Sequence, residues 1–124
     1  LLNKHTTQVI INDNPIGIMM DWEISFHRGV KEQILAMPPK VQARFIRLLE
    51  LMEKHGPNLG APHTKPLNHG LFEVRAKAKE GIGRGLFCYT KRRQIHILYA
   101  FIKKSQKTPK EVIQIARLRM KEVN

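Results

Sequence analysis

The chain is poor in cysteine, in aromatic residues and in negative charge, and it has no long apolar run. Cys88 is the only cysteine of 124 residues, so no intrachain disulfide can form, and its place inside an apolar run predicts a buried structural thiol. One Trp, two Tyr and five Phe make up 6% of the chain, too few and too scattered for an interleaved base-stacking platform. The apolar run of the C-terminal half, Ile97 to Ile102, has six residues, far from the roughly 20 that span a bilayer. A soluble cytoplasmic protein with no membrane role is expected.

Asp and Glu number 10 against 22 Lys and Arg, a net charge of +12. The excess is uneven. Residues 1–70 hold 8 basic and 6 acidic side chains, a net of +2, whereas residues 71–124 hold 14 and 4, a net of +10. Self-repulsion on that scale disfavours a compact fold, so a surface of one sign built by the C-terminal half points to a polyanionic partner. With 42% hydrophobic residues the composition is globular, and the length suits one domain with a single core.

Residues 1–20 differ from the rest: Leu1 is not an initiator methionine, and Asn12-Asp13-Asn14-Pro15 is a turn signal between two short apolar runs. They are expected to be an N-terminal extension outside the native domain, with a hairpin on a sheet edge as the other possibility; the domain proper is assigned to 21–124. Trp22, Ile24 and Phe26 alternate with polar residues and predict a strand. Val30, Ile34 and Met37 predict a helix stopped by Pro38-Pro39. Val41, Phe45, Leu48, Leu49 and Met52 then form the apolar stripe of a second helix that begins at Pro39 and ends near His55-Gly56-Pro57. Asn58 to Gly70 reads as an ordered loop.

From Leu71 to Lys79 the period becomes two, with Phe72, Val74, Ala76 and Ala78 facing inward. Glu73, Arg75, Lys77 and Lys79 are displayed on the other side. Gly81-Ile82-Gly83 is expected to turn the chain into a strand from Arg84 to Thr90, and Lys91-Arg92-Arg93-Gln94 into another from Ile95 to Phe101. Thr108, Pro109 and Glu111 predict a capping box for a final helix whose stripe is Val112, Ile115, Ala116, Met120 and Val123. The expected fold is α+β: a mostly antiparallel sheet carrying two N-terminal helices and a C-terminal helix, in the order β-α-α-β-β-β-α.

The six histidines and Cys88 lack metal-site spacing, no His-Glu-x-x-His occurs, and no metal or cofactor is expected. Gly81, Gly83 and Gly85 lack the helix and Lys-Ser/Thr of a phosphate loop and read as a flexible hairpin. What remains is a basic constellation. Arg75 and Lys77 on one strand, Arg84 on the next, and Lys103, Lys104 and Lys107 at and beyond the third are expected to meet on one shallow surface, since neighbouring strands lie about 4.8 Å apart. Guanidinium forks and mobile ammonium groups suit phosphate oxygens, and could stabilise the extra charge of a five-coordinate phosphorane.

The run from Leu48 to Pro62, then Lys65-Pro66-Leu67, then Gly70-Leu71-Phe72-Glu73-Val74-Arg75, resembles the phage-derived HigB-like branch of the RelE/ParE toxin superfamily. So does the stretch from Ala100 to Glu111, with its Phe101-x-Lys103-Lys104-x-x-Lys107-Thr108-Pro109 element. The resemblance covers about 21–124. It implies a RelE-like fold and a type II toxin that enters the ribosome and cleaves mRNA without a metal, by attack of a ribose 2′-hydroxyl on the adjacent phosphate. It also implies silencing by a HigA-like helix-turn-helix antitoxin, whose complex binds operator DNA. By the same resemblance Arg75, Arg84, Lys103 and Lys104 are candidate catalytic residues. Lys77, Lys79, Lys91, Arg92, Arg93 and Lys107 are candidate nucleic-acid contacts, and Tyr89 and His96 are weaker candidates for proton transfer. Two other functions remain open at this level: a ParE-like inhibitor of DNA gyrase, and a non-catalytic basic nucleic-acid-binding module.

Overall fold

A computed structural model of the chain describes residues 21–103 and 107–123. The expectation for residues 1–20 lies outside the described residues. Among the described residues, five strands and three helices follow in the order β1 (Glu23–Phe26), α1 (Val30–Leu35), α2 (Pro39–His55), β2 (Thr64–Pro66), β3 (Phe72–Ala78), β4 (Gly81–Thr90), β5 (Gln94–Lys103) and α3 (Lys110–Met120). They build one sheet in the order β1-β5-β4-β3-β2, in which only β1 and β5 run parallel. The α+β class is as the sequence suggests. Among the described residues, no helix is long and apolar enough to cross a membrane.

The sheet buries both faces, each by a different device. Val30, Ile34, Val41, Phe45, Leu48, Leu49 and Met52 from α1 and α2 meet Val74, Ala76, Phe87, Ile95, Ile97 and Ala100 of the sheet. The expected stripe of α2 is buried along its whole length, starting from Pro39 at the first helical position. On the opposite face α3 lays Val112, Ile113, Ala116 and Met120 over Leu71, Leu86, Cys88 and Leu98, with Ile113 in the role expected of Ile115. Burial pushes the Cys88 thiol up to about 11, which keeps it protonated and unreactive near neutrality.

Three expectations need correction. The segment read as loop contains β2, which pairs Thr64 with Val74 and Pro66 with Phe72; three residues ending in proline give no periodicity to read, and proline is tolerated because this is a sheet edge. The reversal between β3 and β4 falls at Lys79-Glu80, so Gly83 and Gly85 lie inside β4. They mark close approach and not a flexible hairpin: a Cβ on Gly83 would stand 2.8 Å from Val41 Cγ1, and one on Gly85 2.7 Å from Phe45 Cζ. Gly85→Ala is accordingly expected to destabilise the fold by about 1–3 kcal/mol in urea unfolding, with Phe45→Leu recovering part of the loss by withdrawing the ring. Equal stability of Gly85→Ala and the parent would contradict this packing.

Third, Thr108 does not cap the last helix. Pro109 occupies the N-cap position with no side-chain cap, and the Thr108 hydroxyl instead donates to Oε2 of Glu73. A buried carboxylate is the stronger acceptor, because a charge-assisted hydrogen bond outweighs a neutral one to a partly solvated helix end.

Candidate nucleic-acid interface

Period-two geometry places Glu73, Arg75 and Lys77 of β3, and Leu71 just before it, on the α3 face of the sheet. Register then sets Arg75 beside Arg84 and Lys77 beside Ile82, while Arg84 lies beside Phe101 and Ile82 beside Lys103. Two rows thus cross the sheet: Arg75–Arg84–Phe101, and Lys77–Ile82–Lys103. Directly opposed residues share a face, which puts Arg75 with Arg84 and Lys77 with Ile82, and the backbone register brings one end of three strands to one place.

Arg84 is not displayed there. Its side chain is fully buried, contrary to the exposed strand arginine expected, and its Nη1 lies 3.4 Å from both carboxylate oxygens of Glu73. Glu73, also expected on display, is itself 0% exposed. The period identified the correct face, but that face is roofed by α3 and its lead-in rather than open to solvent. Glu73 additionally accepts from Thr108 and stands 3.8 Å from Nε of Arg75, whose side chain keeps 25% of its surface exposed. Two guanidinium groups around one carboxylate leave one positive charge over. Arg75 carries it outward, held from behind by a carboxylate that Arg84 and Thr108 fix in place.

The other expected residues divide. Lys77 is exposed next to Arg75, and Lys79 is exposed in the turn that follows. Lys103 ends β5 in the row of Lys77. Lys104 lies outside the described residues, and Lys107 is exposed just before α3. Lys91, Arg92 and Arg93 belong to the turn at the far end of β4, nine residues from Gly81 or about 30 Å. There they line a cleft with Asp21 and Glu23, and the Arg93 guanidinium sits 5.8 Å over the Trp22 ring. They form no common surface with Arg75 and Lys77.

Two further arginines of the basic half serve the fold. Arg117 Nη2 donates to the carbonyl of Leu67 at 3.0 Å, and Arg119 Nη1 to that of Leu98 at 2.6 Å, which ties α3 to the sheet. The excess charge available to a partner is smaller than the sequence count suggests.

Neither weaker candidate for proton transfer adjoins Arg75. Tyr89 packs on the other face of the sheet against Trp22 and Phe72. His96 pairs with Cys88, four residues along β4 from Arg84, and its Nδ1 shares a hydrogen bond of 2.6 Å with Ser25 Oγ. Burial holds the His96 imidazole below its ordinary value, favouring the neutral ring.

Sequence reasoning overlooked two residues that the fold delivers to the same edge. Arg44, from α2, and His63, from the residue before β2, line a cleft of about 370 Å³ together with Pro62, Arg75, Lys77 and Ile82. Arg44 has a faint signal in the sequence, since Lys40, Arg44 and Arg47 recur at i, i+4 and i+7 on the polar side of the helix. His63 has none.

The model of the phage-derived protein Gp49-like family matches residues 32–121. The RelBE2 toxin–antitoxin complex of Mycobacterium tuberculosis shares the fold at 16% identity and a TM-score of 0.51, over 67% of this chain and 99% of that one. The archaeal RelE–RelB complex of Pyrococcus horikoshii does so at 17% identity and a TM-score of 0.51, over 67% and 96%. No curated protein matches the sequence. Because the family model runs from within α1, through α2 and the meander that carries Arg75 and Lys77, to the end of α3, the chain, whose fold those two complexes share, belongs to the phage-derived Gp49-like family.

Proposed function

We propose that this protein is a RelE-type toxin and a ribosome-dependent endoribonuclease that cuts mRNA, and that Arg75 and Lys77 are the cations that meet the reacting phosphate. The observation that carries the reading is the outward-facing Arg75, oriented from behind by the buried Glu73 and neighboured by Lys77 in the same open corner of the sheet. In the proposed step the ribose 2′-oxygen forms a bond to the adjacent phosphorus and the bond from phosphorus to the 5′-oxygen breaks. The products are a 2′,3′-cyclic phosphate and a 5′-hydroxyl, and the 2′-proton is in effect passed to the leaving oxygen. Negative charge rises on the non-bridging oxygens as the fifth bond forms. A guanidinium fork fixed beside them stabilises that charge without having to reorganise.

Lys103, in the row of Lys77, and Lys104 are proposed to add to the same field. Arg84 acts one step removed, as a positioning residue that fixes Glu73. A helix-turn-helix antitoxin of the HigA kind is the proposed silencing partner, its complex with the toxin binding operator DNA.

Inducible expression followed by mapping of 5′ ends in cellular RNA tests the activity. New 5′-hydroxyl ends within translated frames are expected, and should vanish when the Arg75→Ala protein is produced at the same level. Intact mRNA accompanied by DNA breaks would replace this reading with inhibition of gyrase.

A further inference from the structure

The cleft at the free end of β3 has a composition of its own. Among the described residues Arg44, His63, Arg75 and Lys77 line it without a carboxylate, and Pro62 and Ile82 give it two apolar surfaces. Of the acidic residues near it in the chain, Glu73 is buried behind Arg75 against Arg84, and Glu80 of the β3–β4 turn is engaged elsewhere, its Oε1 accepting from the backbone N–H of Lys40 at the start of α2. A volume of about 370 Å³ falls at the small end of clefts that hold ligands.

Strand geometry adds a backbone donor. β2 pairs with β3 only as far as Val74, and one residue on the Arg75 N–H is taken by the carbonyl of His63 at 2.8 Å. N–H groups point alternately to the two sides of a strand, so that of Lys77 faces the same side as that of Arg75, past the end of β2. The edge that β2 leaves uncovered therefore presents a backbone N–H between cations, a setting that favours an oxyanion.

We infer that the outer part of this cleft, at Arg44 and His63, is a second phosphate site, which grips a backbone phosphodiester of single-stranded RNA next to the reacting one at Arg75 and Lys77, with Arg44 as its outer clamp. The inference rests on the RNA reading proposed above and adds a direction to it: the strand crosses the edge of β3 towards α2, and does not run along the sheet towards Lys91, Arg92 and Arg93. Arg75 stands at the junction of the two sites. The apolar surfaces of Pro62 and Ile82 take the sugar and the edge of a base, so the site grips without reading sequence.

The test uses a 2′-O-methyl RNA oligonucleotide of about 12 residues, which cannot undergo the 2′-hydroxyl attack, and follows its binding to the full chain by fluorescence anisotropy across a salt series. Arg44→Gln is expected to weaken binding about three- to tenfold near 0.1 M salt and to lower the slope of log K against log salt by about 0.7, the share of one phosphate contact on a single strand. Arg47→Gln is the control for loss of charge alone, because Arg47 lies one turn away beside Glu50 at 3.5 Å and does not line the cleft. It should change neither quantity. In a parallel NMR titration the His63 ring signals are expected to shift with the oligonucleotide.

Equal effects of the two substitutions, no effect of Arg44→Gln, or His63 signals that move with inorganic phosphate but not with the RNA would each overturn the site while leaving the RNA reading in place. Failure of the unaltered protein to bind the oligonucleotide, on the other hand, would overturn both. Both arginines are exposed on α2, so matching urea unfolding curves should verify that the variants are folded.

Discussion

Arg84→Ala is expected to lower the free energy of unfolding by about 3–5 kcal/mol, a large part of the stability of a domain this size. The side chain is fully buried, with Nη1 3.4 Å from each oxygen of Glu73. Truncation would leave that carboxylate in the interior with, among the described residues, Thr108 and the more distant Arg75 to compensate it. It would also open a cavity beneath α3. The arithmetic differs when the pair is removed together, because two charges that are both absent carry no desolvation cost. Arg84→Met combined with Glu73→Leu should therefore be more stable than Arg84→Ala alone. Urea midpoints at pH 7 measure both, and a loss below about 1 kcal/mol for Arg84→Ala would mean that the pair contributes no more than a surface ion pair. A growth assay alone would mislead here: loss of toxicity on changing Arg84 follows from loss of fold as readily as from loss of chemistry.

That distinction explains what could and could not be read from the chain. The α2 stripe from Val41 to Met52 was legible because one periodic pattern reports one buried face, and all five of its residues are in the core. Alternation in β3 likewise separated Val74 and Ala76 from Glu73, Arg75 and Lys77. It could not say that the second face is covered, since the cover comes from Ala116 and its neighbours some 40 residues later in the chain. Glu73 and Arg84 therefore looked displayed although they are buried against each other.

Gly83 and Gly85 failed for a related reason. A glycine in a strand pattern signals either a turn or a close approach, and the approaching groups, Val41 and Phe45, lie about 40 residues earlier. The Thr108-Pro109 pair carries a helix-start signal whose hydroxyl is diverted by Glu73. At the candidate site, Arg75 and Lys77 were found because they share a strand and a period. Arg44 and His63 reach the same cleft through chain contacts that no local pattern encodes.

Arg75→Ala is expected to reduce the rate of mRNA cleavage about 10²–10³-fold while changing stability by no more than about 1 kcal/mol. Both halves of the expectation come from its position. One quarter of the side chain is exposed and its only ion pair among the described residues is a loose one at 3.8 Å, so Glu73 keeps its shorter contacts to Arg84 and Thr108 when Arg75 is removed. The charge lost is the one facing the open corner of the sheet, where a phosphorane would form. Arg75→Lys keeps the charge but loses the planar fork, and should recover only part of the rate. Single-turnover cleavage on programmed ribosomes, read beside urea unfolding, separates this residue from its neighbours. Arg44→Gln should weaken RNA binding without approaching the hundredfold loss in rate, and Arg84→Ala should lose stability first. Arg75→Ala alone should give a stable, folded protein that no longer cuts. An Arg75→Ala protein that cleaves at the parent rate would remove the central cation from the proposed chemistry and return the site to simple backbone binding.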